Sequence, residues 1–445
     1  MRMPVTPPTI QDISRKLQDN PDRYERIFQV ARNAGHEGKY THWDKLRHLR
    51  PPRDLSHEEW WLALKLGRVG LLEELPLKDV KGQPFRFGLP DPAPEQLHHI
   101  DQDAGGRITM TEREIVNPDS RDRYIIHSLV EEAITSSQLE GAATTRPVAR
   151  EMIRSNREPR DRSEQMILNN YKAMQAIRQL KPQPLDLDLI LELHRILTTN
   201  TLDNPGAAGC LRMPSEQVQV VTPYNEILHA PPPAEELRAR LAALCDFANG
   251  KTPSFFIHPV IRAIILHFWL AYDHPFVDGN GRCARGLFYW MMLRQEYWLC
   301  EFISISEIIK KTPAKYGRAF LYTETDENDL TYFILYHLRI ICRAIEELRK
   351  YIAGKAAEVR RVEELIRASV YLNGRQMALM SHALRHPDSD YTILSHQRSH
   401  AVVYQTARSD LLDLERRGIL QSRKVGRRLR FRAVPHLEDK LRRLR

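Results

Sequence analysis

His274-Pro275-Phe276-Val277-Asp278-Gly279-Asn280-Gly281-Arg282, with Arg285 three residues further on, follows directly on the apolar run from Pro259 to Tyr272. The segment downstream, Gly281 to Gln295, has apolar residues at helical spacing, so the string sits at a helix-loop-helix corner. Gly279, Asn280 and Gly281 then feed a helix N-terminus, where unpaired N–H groups and the helix dipole attract phosphate. The two glycines let a ligand approach the backbone closely.

Each polar residue of the string suits that chemistry. Asp278 is a hard oxygen ligand of the kind Mg²⁺ takes when it bridges phosphate oxygens. Arg282 and Arg285 lie three apart on one helix face and can clamp further phosphates. His274, at the mouth of the loop, has an ordinary pKa near 6.5 and suits a general base that takes a proton from a hydroxyl. Read singly, Gly-Asn-Gly is more often a plain turn and a lone His a structural residue; the order and spacing carry the argument.

As a whole the string is similar, without a mismatch, to the signature of the Fic family, His-Pro-Phe-x-Asp-Gly-Asn-Gly-Arg-x-x-Arg. The likeness extends to Leu193-His194-x-x-Leu197, Pro205-Gly206 through Arg212, His258-Pro259-x-x-Arg262-Ala263, His267 and Ile303-Ser304-Ile305-Ser306, about residues 120 to 350. It implies transfer of AMP from Mg-ATP, the co-substrate with its Mg²⁺ cofactor, to a Ser, Thr or Tyr hydroxyl of a target protein. By the same likeness His274 is the base, Asp278 the metal ligand, Gly279, Asn280 and Gly281 the anion hole, Arg282 and Arg285 the polyphosphate grips, and Phe276 a core anchor. Tyr316 is a wall of the base pocket or, equally, an aromatic of the core; position 317 is Gly where many relatives carry a second tyrosine.

Two further elements follow from the resemblance. Ser136-Ser137-Gln138-Leu139-Glu140-Gly141 fits the inhibitory pattern Ser/Thr-x-x-x-Glu-Gly/Asn, with Ser136 and Glu140 on one helix face, and implies that Glu140 pairs with Arg285 and blocks the γ-phosphate. The alternation Gln217-Val218-Gln219-Val220-Val221, a turn at Pro223 to Asn225 and Glu226-Ile227-Leu228 predict a β-hairpin in a helical body. It resembles the family's flap, which pairs with an extended segment of the target. Gly250-Lys251-Thr252 mimics the end of a phosphate loop, but position 245 is Cys rather than Gly and the spacing fails.

The bulk properties agree with an intracellular protein of two or three domains. The chain has 445 residues, 42% hydrophobic and 28% charged, with no apolar run near the roughly 18 to 20 residues of a membrane span. The N-terminus lacks the apolar stretch of a secretion signal, which predicts a cytoplasmic location, and no membrane partner is expected. Five scattered cysteines without a Cys-x-x-Cys pair point to free thiols rather than disulfides or zinc.

Net charge is +9, and the last 45 residues hold 13 Lys or Arg against 5 Asp or Glu, so the excess is nearly all C-terminal. There Val402 to Arg417 reads as an amphipathic helix, and Ile419 to Ala433 as a hairpin about Val425-Gly426 with Lys424, Arg427, Arg428, Arg430 and Arg432 around it. Recognition helix followed by basic wing is the order of a winged helix-turn-helix, whose partner is DNA or protein.

The expected fold is mainly α. A helical or irregular extension over 1–115 contains one clear helix, Ser56 to Leu72, opened by the capping-box pair Ser56 and Glu59. A Fic catalytic domain with its inhibitory helix and small hairpin flap follows over 116–350, and a winged-helix domain over 355–445. Three alternatives stay open: removal of AMP with Glu140 positioning water, transfer of another phosphate-containing group, and a DNA-binding regulator whose core senses nucleotide. A homodimer also stays open.

Overall fold

Two helices buried on every side form the centre of the larger unit. Every residue from Val260 to Leu270 in helix Pro259–Asp273, and from Arg282 to Leu293 in helix Asn280–Arg294, is buried. A helix buried on all sides is surrounded by other elements rather than laid on a surface. Around this pair stand Pro118–Leu139, Arg162–Leu180, Leu187–Thr198 and Leu237–Ala248, together with Pro313–Thr325 and the start of Thr331–Ala368. The computed structural model of the chain describes every residue except 1, 19, 21, 35–39, 53, 106–117, 223, 369–371, 386–388, 426, 427, 436, 438–440 and 442–445. Pro223, Gly426 and Arg427, all named above, therefore lie outside the described residues.

The chain folds as two compact units, Met1–Leu348 and Arg349–Arg445. The extension is part of the first and holds more structure than its sequence suggested. Beside His57–Val69, whose Ser56 and Glu59 do form a capping box, it contains helices Ile10–Lys16, Asp22–Ala34 and Ala93–Ile100. A hairpin pairs Glu73–Lys78 with Pro84–Phe87, placing Leu75, Leu77, Phe85 and Phe87 in the core. Pro76 and Pro84 hid it, because proline inside a short apolar alternation reads as a break rather than a strand.

Buried charge bolts this extension to the helical body. Lys65 Nζ donates to Asp326 Oδ1 at 2.8 Å, and Tyr332 donates to Asp326 Oδ2 at 2.7 Å while its hydroxyl accepts from Arg68 Nη1 at 3.0 Å. The Tyr40 hydroxyl donates to Asp329, and the His42 ring stacks on Tyr322 with centroids 4.2 Å apart. Lys65, Arg68, Asp326 and Asp329 are all buried, so each charge depends on its partner in the other segment.

The predicted hairpin is present and shorter than its alternation. Val220–Val221 pairs antiparallel with Ile227–His229, Val220 opposite His229 and Val221 opposite Ile227, while Gln217, Val218 and Gln219 lead into it. The buried Thr222 ends the ladder early, because its Oγ1 accepts from the amides of Tyr224 and Glu226, both at 3.2 Å. Val220, Val221, Tyr224 and Ile227 are exposed.

The second unit has its own core. Helices Gly374–Arg385, Ile393–His400 and Tyr404–Arg416 pack with a three-stranded sheet in which Arg428–Ala433 lies between Asp390–Tyr391 and Leu420–Val425. The side chain of Asp410 accepts from Arg375 Nε (2.7 Å), Arg375 Nη2 (3.1 Å) and Asn373 Nδ2 (2.8 Å), which fixes Tyr404–Arg416 against the start of Gly374–Arg385. The hairpin arginines are not all splayed outward. Arg423, Arg430 and Arg432 converge on Asp390 at 2.7, 3.3 and 2.9 Å, holding its carboxyl down at about 2 through the hydrogen bonds of Arg423 and Arg432.

Candidate active site

The corner between the two central helices is built to stay rigid. His274 ends the first helix in the left-handed region (φ 47°), and its amide closes on the Leu270 carbonyl at 3.0 Å. Asn280 then spans the loop with both ends of its amide. Oδ1 accepts from the Phe276 N–H at 3.0 Å and Nδ2 donates to the Phe276 carbonyl at 2.8 Å, so the side chain shapes the loop and only the Asn280 backbone is left for a ligand. Phe276 is fully buried and stacks on His194 with centroids 3.7 Å apart.

His194 and Arg212, read in the sequence only as family landmarks, turn out to hold the loop. The Gly209 N–H donates to His194 Nδ1 at 3.0 Å, which leaves Nε2 protonated to donate to the Asp278 carbonyl at 2.9 Å. Burial pushes the His194 pKa down to about 4, consistent with this neutral tautomer. Arg212 Nε donates to the His274 carbonyl at 2.9 Å, the Arg212 N–H to the Pro275 carbonyl at 2.9 Å, and Nη2 to the Pro232 carbonyl. Behind the loop, Asp273 accepts from Arg240 Nε (2.8 Å) and Trp269 Nε1 (3.1 Å); burial still raises its carboxyl to about 6.

The His274 ring is held in one tautomer. Its Nδ1 lies 3.2 Å from the Ala271 carbonyl, an acceptor, so Nδ1 carries the proton and the lone pair is on Nε2. Burial lowers its pKa to about 4, against the opposing pull of the Ala271 carbonyl, so the imidazole is neutral at physiological pH. Asp278 offers one carboxylate at the rim, its side chain 41% exposed. Oδ1 accepts from the Gly279 N–H, and Oδ2 lies 3.4 Å from Arg282 Nη2 and 3.8 Å from Arg162 Nη2. Arg162, which no motif signalled, is also held by Asp203 at 3.1 Å and lines a cavity of about 310 Å³ with Arg160, Gln165 and Thr201.

The start of the second helix has the features of an anion site. Gly279 is left-handed (φ 86°), and a Cβ there would stand 2.8 Å from Thr198 Cγ2. Arg282 is buried, donates through Nη1 to the Leu197 carbonyl at 3.0 Å, and keeps a buried Nε with no partner. Arg285 is committed: Nε donates to Ser136 Oγ at 2.8 Å, and Nη2 to the Ser136 carbonyl at 3.1 Å and to Glu140 Oε1 at 2.8 Å. Its burial would lower its pKa, yet Glu140 raises it above the usual value. A Cβ built on Gly281 would collide with Glu140 Oε1, which places that carboxylate over the helix N-terminus itself. Gly141, also left-handed (φ 94°), turns the chain away just after it.

Tyr316 belongs to both surroundings considered for it. Its hydroxyl is 2.8 Å from His267 Nε2 and its ring packs edge-on against Phe320 at 5.2 Å, while its electrostatic partners include Arg285 and Glu140. Gly250-Lys251-Thr252 is remote from this chemistry, with Lys251 paired to Asp246 at 2.9 Å.

A divalent cation fits the donor set in one way. Among the described residues no three His, Cys, Asp or Glu side chains cluster to form a metal cage. Asp278 is a single rim carboxylate, which is how Mg²⁺ is bound when substrate phosphates and water complete its octahedron. Among the described residues, no helix is long and apolar enough to cross a membrane.

Comparison with known proteins agrees with this geometry. Residues 184–292 match the model of the Fic/DOC family. A protein adenylyltransferase Fic of Nematostella vectensis is 36% identical over 114 residues, 26% of this chain and 24% of that protein. A protein adenylyltransferase Fic of Drosophila willistoni is 33% identical over 133 residues, 29% of this chain and 24% of that protein. The chain thus spans about a quarter of the length of these curated relatives. The solved structure of a Fic family protein from Desulfovibrio desulfuricans G20 shares the fold with a TM-score of 0.53 at 18% identity, over 77% of this chain and 96% of that one.

Proposed function

We propose that this chain transfers AMP from Mg-ATP to a hydroxyl side chain of another protein, and that Glu140 restrains it. The observation that carries this reading is the corner itself: one rigid loop presents a neutral His274, a rim carboxylate at Asp278 and a helix N-terminus already covered by an anionic group, Glu140. The relatives over the matched segment are named protein adenylyltransferases, which supports a nucleotidyl transfer.

The chemistry asked of these residues is an in-line displacement. His274 Nε2 takes the proton of the target hydroxyl, and the oxygen attacks the α-phosphorus. The new O–P bond forms as the bond to the β-phosphoryl oxygen breaks, and pyrophosphate leaves. The backbone of Gly279, Asn280 and Gly281 and the Arg282 guanidinium hold phosphate oxygens during the exchange. Mg²⁺, held by Asp278, would offset charge on the leaving pyrophosphate. Arg285 can grip the polyphosphate end only when it lets go of Glu140.

The flap is the proposed docking edge. Gln217 to Val221 would pair with an extended target segment, and a cavity of about 290 Å³ lined by Arg212, Gln217, Gln219 and Pro231–Pro233 offers room beside it for a target side chain. For the second unit we read a winged helix-turn-helix, from the order helix, strand, helix, helix, hairpin. Its DNA affinity would draw on Arg408 and Lys424, both exposed, since three other arginines already face Asp390.

The test is incubation of wild type, Glu140→Gly and Glu140→Gly/His274→Ala with Mg²⁺ and ATP labelled at the α-phosphate, read by intact mass. AMP on the single variant and none on the double is expected. No AMP on any form, with or without candidate targets, would overturn the transferase reading.

A further inference from the structure

Helix Pro118–Leu139 does more than carry Ser136 toward Arg285; it is laddered onto the motif helix at a second level. Ser136 and Glu132 are four residues apart on one helix, and Arg285 and Tyr289 four apart on the other. Arg285 binds Ser136, and one turn away the Tyr289 hydroxyl lies 3.0 Å from Glu132 Oε2. The two rungs run in opposite chain directions, as two antiparallel helices require.

The second rung is a buried carboxylate held by neutral donors. Besides Tyr289, Glu132 Oε2 accepts from Ser304 Oγ at 2.7 Å and from the Ser306 N–H at 3.1 Å, and Oε1 accepts from Ser306 Oγ at 2.5 Å. Glu132 is 2% exposed. A charge buried this deeply is tolerated only where donors are fixed in place, and here they come from Asn280–Arg294 and from the start of helix Ile305–Lys311. Thr135 Oγ1, 3.2 Å from Ser304 Oγ, and Ser128 Oγ, donating to the Phe302 carbonyl at 2.6 Å, extend the same seam. Ser304-Ile305-Ser306 thereby has a use that its motif likeness did not state.

We propose that Glu132 is a positioning residue for the inhibitory contact: it sets the register of this helix on the motif helix, and the hold of Glu140 on Arg285 depends on it. This rests on the reading of Glu140 as a restraint. The alternative is that Glu132 only stabilises the fold. Shifting the helix by even a fraction of a turn would carry Ser136 and Glu140 off Arg285, since both contacts are made at hydrogen-bond distance. Movement that relieves inhibition is then confined to the last turn, past the Glu132 rung, where the chain turns at Gly141.

Four full-length variants test this: Glu132→Gln, Tyr289→Phe, Glu140→Gly and Glu132→Gln/Glu140→Gly. AMP transfer is measured alongside amide hydrogen exchange of residues 128–141. Glu132→Gln is expected to raise transfer several-fold and speed exchange over 136–141, Tyr289→Phe to do the same more weakly, and the double variant to match Glu140→Gly. A purely structural Glu132 would instead lower transfer in both backgrounds, and that result, or unchanged exchange over 136–141, overturns the proposal. If Glu140→Gly transfers no AMP, the inhibitory reading fails by itself, while the exchange arm still decides whether Glu132 holds the helix.

Discussion

The Glu140 carboxylate lies over Gly281, at the first turn of the motif helix, while it binds Arg285 at 2.8 Å. On the proposed reading it would compete with a phosphate group twice, by neutralising the arginine and by filling the space above the glycine. Glu140→Gln removes the charge and keeps the volume; Glu140→Gly removes both. Transfer rates should rise in the order wild type, Glu140→Gln, Glu140→Gly. A charged hydrogen bond worth about 1.5–3 kcal/mol sets the full span at about 10- to 100-fold. Equal rates for the two variants would show that the block is electrostatic alone.

His274 should stay active in acid. Burial lowers its pKa to about 4 from an ordinary 6.5, so between these values the folded enzyme keeps a neutral base that the unfolded chain would protonate. The acid limb of kcat/KM, which reports the free enzyme, should fall well below pH 6.5 when measured on Glu140→Gly. Stability linked to this group is complete above about 6.5 and is lost as pH falls toward 4. His274→Ala should cost about 10²- to 10⁴-fold in rate.

The flap should loosen in base. His229 at its inner strand faces two acceptors, with Nδ1 2.7 Å from Glu324 Oε2 and Nε2 2.8 Å from the Tyr272 carbonyl. Both ring nitrogens must donate, so the ring is an imidazolium. Burial lowers its pKa, but Glu324 and the Tyr272 carbonyl outweigh this and the net shift is upward. The sign follows: the tether is whole below the unfolded pKa near 6.5 and is lost as pH rises through the raised folded value. Amide exchange of 217–229 should accelerate over that range, and Glu324→Gln should move the transition to lower pH. A flap insensitive to both would exclude the tether.

Gly279→Ala should fail for two separable reasons. The left-handed φ of 86° costs a side chain about 1–3 kcal/mol, and the new Cβ meets Thr198 Cγ2 at 2.8 Å. Thr198→Ser removes that methyl and can keep the hydroxyl that donates to the His194 carbonyl at 2.7 Å. The double variant should therefore recover part of the loss in a denaturant titration, leaving the backbone cost.

What the sequence displayed was local. The corner from His274 to Arg285 was legible because a glycine loop feeding a helix is a matter of neighbouring residues, whereas the pairing of Glu140 with Arg285, 145 positions apart, was expected only from the family resemblance. His194, Arg212, Arg162 and Glu132 were not given their roles, because each acts on a residue 62 to 172 positions away. The hairpin Glu73–Lys78 with Pro84–Phe87 was obscured by its prolines. The C-terminal hairpin was read with its basic residues, but that Arg423, Arg430 and Arg432 share one aspartate depends on Asp390, a residue of another strand.

The pairing of Lys65 with Asp326 and of Tyr40 with Asp329 bears on how this chain can be shortened or inherited. A protein that begins after residue 115 would retain every residue of the motif and still strand two interior carboxylates whose counter-groups had been cut away. Removing one partner of a buried pair costs about 3–5 kcal/mol, a large part of the stability of most domains. The segment that matches the family is thus not a portable cassette here: any lineage that exchanged the N-terminal segment would have had to replace Asp326 and Asp329 as well.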